Sequence, residues 1–160
     1  MQMGDLQMTR GALPHLFASM VMALMMMTAP SSPARAQVME VFKTPSCGCC
    51  TLWMRHVGRA GFSPKGKDLE AKDLTQYKTD AGIPTKLQSC HTARIDGYII
   101  EGHVPAADIR RLLKERPDAI GLAVPGMPIG SPGMESGNER EPYQVLLIRR
   151  DGRIEVFSQY

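Results

Sequence analysis

No apolar segment of this 160-residue chain is long enough to cross a bilayer. The longest, Leu16 to Met27 (LFASMVMALMMM), falls short of the roughly 20 residues a membrane-spanning helix needs. Lysine and arginine are not gathered on one stretch. The formal charge is +3 with both signs interspersed, which excludes the clustered basic footprint of a nucleic-acid-binding protein. The chain also lacks an H-E-x-x-H pair, a glycine-rich phosphate loop and any Ser-His-Asp arrangement, so a hydrolase would have to rest on residues that no such motif marks. Internal repeats are absent. Cysteine is scarce as well, at four residues, yet three of them stand together in TPSCGCC as Cys47, Cys49 and Cys50.

What the first 36 residues do contain has a recognisable order. Arg10 precedes the short apolar run, a Pro/Ser stretch follows, and Ala34-Arg35-Ala36 closes the segment. A basic start, an apolar middle and an A-x-A site predict a secretory signal peptide cut between Ala36 and Gln37. Residues 37–160 are then the mature domain, expected in the periplasm. Arg10, Arg35 and Asp5 leave with the segment, so the net charge falls from +3 to +2. An oxidising compartment favours disulfides, but three thiols within four residues close no useful loop, and a domain of this length needs no staple.

Strand alternation runs from Gln37 to Lys43 until TPS breaks it. A helix is expected from the cysteines to Ala60, with Trp53, Val57 and Ala60 on its apolar stripe and Gly61 at its end. FSPKGKDL is a weak extended segment. A second helix is predicted over LEAKDLTQYKTDA, ended by Gly82-Ile83-Pro84. HTARI and YIIEGHV flank Asp96-Gly97, a strong hairpin signal. A third helix follows Pro105, with Ala106, Ile109, Leu112 and Leu113 inward and Pro117 as its stop. Gly121 to Pro142 reads as one long loop without periodicity. Two strands around Asp151-Gly152 finish the chain. This order predicts an α/β domain with a mixed central sheet, flanking helices and an added C-terminal β-hairpin. A strand, cysteines at a helix start and a later hairpin–helix follow the thioredoxin-like plan, an analogy of fold alone.

The cysteines allow two chemistries. Cys47 and Cys50, at a helix N-terminus whose dipole and free N–H groups stabilise thiolate, suit thiol–disulfide exchange. Thiolates are also soft-metal ligands. Cys49 is surplus to a redox pair, and Cys90, in LQSCHTA, is placed by the expected topology against the same helix start. Four converging thiolates suit Cu(I), zinc or an iron–sulfur cluster. Zinc knuckles come in pairs, and here there is one. Adjacent thiolates are better suited to bridging several Cu(I) ions. Met127 and Met134 carry soft thioethers in the long loop and are candidate additional ligands, as is His91. The alternation of a strand, however, would turn His91 away from Cys90. His56 and His103 read as ordinary hydrogen-bonding residues and Trp53 as core.

KTPSCGCC, GIPTKLQSCHTARIDGYIIEGHVPAADIRRLL, RPDAIGLAVPGMPIGSPGME and YQVLLIRRDGRIEVFSQY, which cover most of residues 40–160, resemble the CopG-like proteins, a CGCC-containing bacterial family linked to copper and silver resistance. The resemblance implies a periplasmic, thioredoxin-like protein with copper as its cargo. It implies Cys47, Cys49, Cys50 and Cys90 as the metal thiolates, and a place near the site for Met127 and Met134. Copper-efflux or copper-tolerance proteins would be its partners. Storage, delivery and redox interconversion of copper are all compatible with four thiolates, as is the rival role of thiol-disulfide oxidoreductase at Cys47 and Cys50.

Overall fold

Met39 and Val41 share one face of the first strand and are fully buried, which seats β1 (Val38–Lys43) over the core. The computed structural model describes residues 36–160, so the expected signal segment lies outside the described residues up to Arg35. Three helices follow in chain order: α1 (Gly48–Arg59), α2 (Ala71–Asp80) and α3 (Ala106–Glu115). The other strands are β2 (Ser63–Asp68), β3 (Thr92–Ile95), β4 (Tyr98–Glu101), β5 (Ala119–Ala123), β6 (Gln144–Arg149) and β7 (Ile154–Gln159). All seven strands make one mixed sheet in the order β2-β1-β3-β4-β5-β6-β7. β1–β2 and β4–β5 are parallel, and the remaining pairs are antiparallel. The architecture is therefore α/β with a mixed sheet, and β6–β7 is its C-terminal hairpin.

β2 is the segment that looked weakest in sequence, and its place explains why. It is an edge strand, mostly exposed, where Pro64 and Gly66 are tolerated. The main correction concerns the long loop. Its first residues are strand β5, sandwiched between β4 and β6. Gly121 hid this strand, and the sheet requires it. A Cβ there would lie 1.7 Å from the Ile99 carbonyl oxygen of β4. The irregular connection is confined to the residues between β5 and β6.

Trp53 and Val57 of α1, Ile109 and Leu112 of α3, and Ile95, Ile100 and Leu122 of the sheet form the main core. Trp53 is fully buried and donates its Nε1–H to the Val104 carbonyl at 2.9 Å. That bond ties the cysteine-bearing helix to the segment after β4. A smaller cluster on Ile83, Leu87, Ala123 and Ile148 closes a second apolar region. Among the described residues no helix is long and apolar enough to cross a membrane.

Candidate metal centre

The turn Thr44-Pro45-Ser46 ends β1 and delivers Cys47 as the N-cap of α1, where its sulfur accepts the Cys50 N–H at 3.3 Å. A cap sulfur here satisfies one of the orphan donors of the first turn. Cys49 and Cys50 occupy that turn. Cys50 is fully buried, and Cys47 and Cys49 are half-buried. Cys47 and Cys50 are joined as a disulfide with Cα atoms 5.4 Å apart, and Cys49 and Cys90 are free. Cys49 Sγ is the hub of the cluster, 3.5 Å from Cys47 Sγ and 3.7 Å from Cys90 Sγ. All four sulfurs lie within 4.8 Å of one another.

Cys90 reaches the helix start from a short irregular segment between the 3-10 turn Thr85–Leu87 and β3. Glu101, at the end of β4, holds that segment from both sides. Its carboxylate accepts the Ser89 N–H at 2.6 Å and the Thr92 hydroxyl at 2.6 Å. Lys78 of α2 donates to Glu101 and to Thr92 Oγ1, each at 2.7 Å. Both charges are buried. Burial pushes the Glu101 carboxyl upward, and the Lys78 ammonium opposes it.

Two histidines complete the surroundings of Cys90. His91 Nδ1 lies 3.3 Å and His103 Nε2 3.1 Å from Cys90 Sγ. For His91 this reverses the strand-alternation reading. Cys90 and His91 precede β3, so the backbone is bent there and both side chains can face one point. His103 was read as an ordinary hydrogen-bonding residue. It does donate Nδ1–H to the Pro132 carbonyl at 2.8 Å, which fixes the tautomer and leaves the Nε2 lone pair facing Cys90. The only sequence signal for it was membership of a GHV stretch closing a strand. His56 behaves as read, its Nε2 accepting the Ala106 N–H at the start of α3 at 3.2 Å.

Electrostatics keep this corner neutral in the absence of a cation. Burial and then the neighbouring Cys49 push the Cys90 thiol up to about 12. Burial, then His103, holds His91 well below the usual imidazole range, and burial also lowers His103. Neutral imidazole is the ligating form. The loop between β5 and β6 closes over the helix start. A Cβ on Gly133 would lie 2.6 Å from the Trp53 nitrogen and 2.9 Å from the Cys49 carbonyl oxygen. Met134, beside it, is half-buried, whereas Met127 is 51% exposed.

A thiolate cradle flanked by imidazoles, under a Pro/Gly/Met loop, can be set against known proteins. Residues 87–134, which hold Cys90, both flanking histidines and the first part of the loop, match a family of proteins of unknown function, DUF411. Two solved structures of copper resistance protein CopG share 45% (form 2) and 43% (form 1) sequence identity with it, at TM-scores of 0.73 and 0.74. Each match covers 78% of this chain and 98% of the other. The chain belongs to the CopG family. Among curated proteins none matches. The family connects the chain to copper resistance, and among the described residues the cysteine cluster is one group whose side chains could together hold a metal ion.

Proposed function

We propose that the protein is an exported, periplasmic copper-binding protein of copper tolerance, and that Cys47, Cys49, Cys50 and Cys90 hold Cu(I), several ions at once, as bridging thiolates. The sulfur spacing carries this reading. Thiolates sharing a tetrahedral ion at about 2.3 Å stand roughly 3.8 Å apart, and the Cys47–Cys49 and Cys49–Cys90 separations are 3.5 and 3.7 Å. Soft thiolates select Cu(I), and the two similar structures are of a copper resistance protein. Met134 and Met127 are candidate outer thioether ligands. The sheet segment β2-β1-β3-β4, with β1–β2 parallel and β3–β4 antiparallel, supports the thioredoxin-like description. Copper-efflux or copper-tolerance proteins of the same compartment are the partners this role requires.

Redox interconversion fits the same site. Oxidation of Cys47 and Cys50 to a disulfide releases two electrons and two protons, and those electrons reduce two Cu(II) to two Cu(I). The Cys47–Cys50 bridge favours, as the second reading, a thiol-disulfide oxidoreductase using that pair. Anaerobic titration of the reduced protein with Cu(I) separates the two. Copper binding by all four thiolates predicts that Cys90→Ser binds fewer ions with weaker thiolate-to-copper absorption. Unchanged stoichiometry in Cys90→Ser would falsify the four-thiolate site. Disulfide reductase activity that survives in Cys49→Ser and Cys90→Ser but dies in Cys47→Ser would favour the second reading.

A further inference from the structure

The thiolate cradle leaves two imidazoles without a task. His91 and His103 are both fully buried, and each brings a ring nitrogen close to Cys90 Sγ. His103 is held for that purpose by its bond to Pro132. His91 packs tilted against Trp53 with ring centroids 4.3 Å apart, which sets its Nδ1 toward Cys90, while its Nε2, on the far side of the ring, has no hydrogen-bond partner and lies outside the donor set. Cys90, His91 and His103 each offer a ligand atom, and these atoms lie within 4.8 Å of one another. An ion with sulfur at about 2.3 Å and nitrogen at about 2.0–2.1 Å keeps the two roughly 3.5 Å apart when tetrahedral. The observed contacts of 3.3 and 3.1 Å need only a small opening to admit it.

The disulfide gives this second donor set its meaning. With Cys47 and Cys50 bridged, two of the four thiolates cannot ligate. Neither histidine beside Cys90 takes part in that bridge, and Cys90 itself is free. Cys49, also free and 3.7 Å from Cys90, stands beside the set as a fourth donor.

We propose that Cys90, His91 and His103 form a second, mixed sulfur–nitrogen site that holds one soft or borderline transition-metal ion while Cys47 and Cys50 are bridged. The proposal rests on the copper reading above for its cargo, not for its ligands. One thiolate with imidazoles accommodates copper and zinc alike. Because Cys90 belongs to both sets, they are alternatives. Metal sits toward the histidines when the helix-end thiols are oxidised, and toward the thiolates when they are reduced. Oxidation then relocates an ion instead of expelling it.

The test uses a Cys47→Ser/Cys50→Ser double variant, which removes the two thiolates without any disulfide chemistry. Anaerobic titration with Co(II) should load one ion per chain, with thiolate-to-cobalt charge transfer and tetrahedral d–d bands. Zn(II) added to the 15N-labelled double variant should shift the His103 Nε2 resonance, a readout that requires no further substitution. Adding His103→Gln to the double variant should weaken Co(II) binding by at least about tenfold, as loss of a metal-site histidine does. The same substitution in the fully reduced wild type should leave the Cu(I) count unchanged. If the double variant binds no cobalt, or binds it with unmoved histidine resonances, while reduced wild type still loads Cu(I), the mixed site is wrong and the thiolate cradle stands. If the double variant binds cobalt through His103 while reduced wild type fails to load Cu(I), the cradle is wrong and the mixed site stands.

Discussion

Glu101 has no access to solvent, and its carboxylate gathers Lys78, Thr92 and Ser89 around the segment that carries Cys90. Removing one partner of a buried pair leaves an uncompensated charge, a loss of about 3–5 kcal/mol. Lys78→Met is therefore expected to lower stability by that amount near neutral pH in urea unfolding. Glu101 already has its carboxyl raised by burial, and losing Lys78 raises it further. A raised carboxyl destabilises the fold above its folded pKa, and that penalty disappears as pH falls toward the unfolded value. The deficit of the variant should thus shrink from pH 7.5 to pH 5. Cys90 makes the second prediction at this scale. Its thiol, pushed up to about 12, is protonated in the metal-free protein at neutral pH. Binding must displace that proton, so Cu(I) affinity should rise with pH by about tenfold per unit for each proton released, and competition titrations between pH 6 and 8 measure it. The cysteines were legible because their chemistry and crowding are visible in a string of letters. His103 was not, because its Nε2 is aimed by a carbonyl 29 residues further on, at Pro132.

Among the elements, α1 shows the closest agreement between pattern and structure. Trp53 and Val57 marked its buried face, and Gly61, at a φ of +92°, follows its end. β5 shows the opposite. AIGLA is short, follows a proline by two residues, and carries a glycine that the β4 carbonyl demands. Long-range pairing with β4 and β6 makes it a strand, and no local propensity announces that. The loop after it is fixed to α1 at Gly133, which has a φ of +86° as well as no room for a Cβ. Gly133→Ala is expected to lift the loop from the helix start. Thermal unfolding should show a loss of about 1–3 kcal/mol from strain and overpacking. Cu(I) should also dissociate faster from the variant, because the lifted loop uncovers the helix start at Cys49, against which Gly133 packs.

At the scale of the whole molecule, the core is complete without a metal. Trp53, Ile100, Ile109, Leu112 and Leu122 are fully buried within one cluster that continues across the sheet. A structural zinc domain would unfold on chelation. Here, chelated protein should keep a cooperative thermal transition and its near-ultraviolet signal from Trp53. Copper added back should raise the midpoint with concentration, because it binds the folded state more tightly than the unfolded one. The mixed α/β plan was readable from hairpin, helix and strand signals, whereas the place of β2 and β5 in the sheet was not. Edge and centre are properties of neighbours, and a chain read in order does not carry them.

Cys90 stands 40 residues beyond Cys50 and meets it because β3 pairs with β1, with the Glu101–Lys78 pair holding the intervening segment. An unfolded chain offers three neighbouring thiols and a remote fourth. The finished domain offers four thiols and two imidazoles at one address. Under the proposed function, copper loading then works as an inspection stamp: the chain that retains the ion against competitors is the chain that has finished folding.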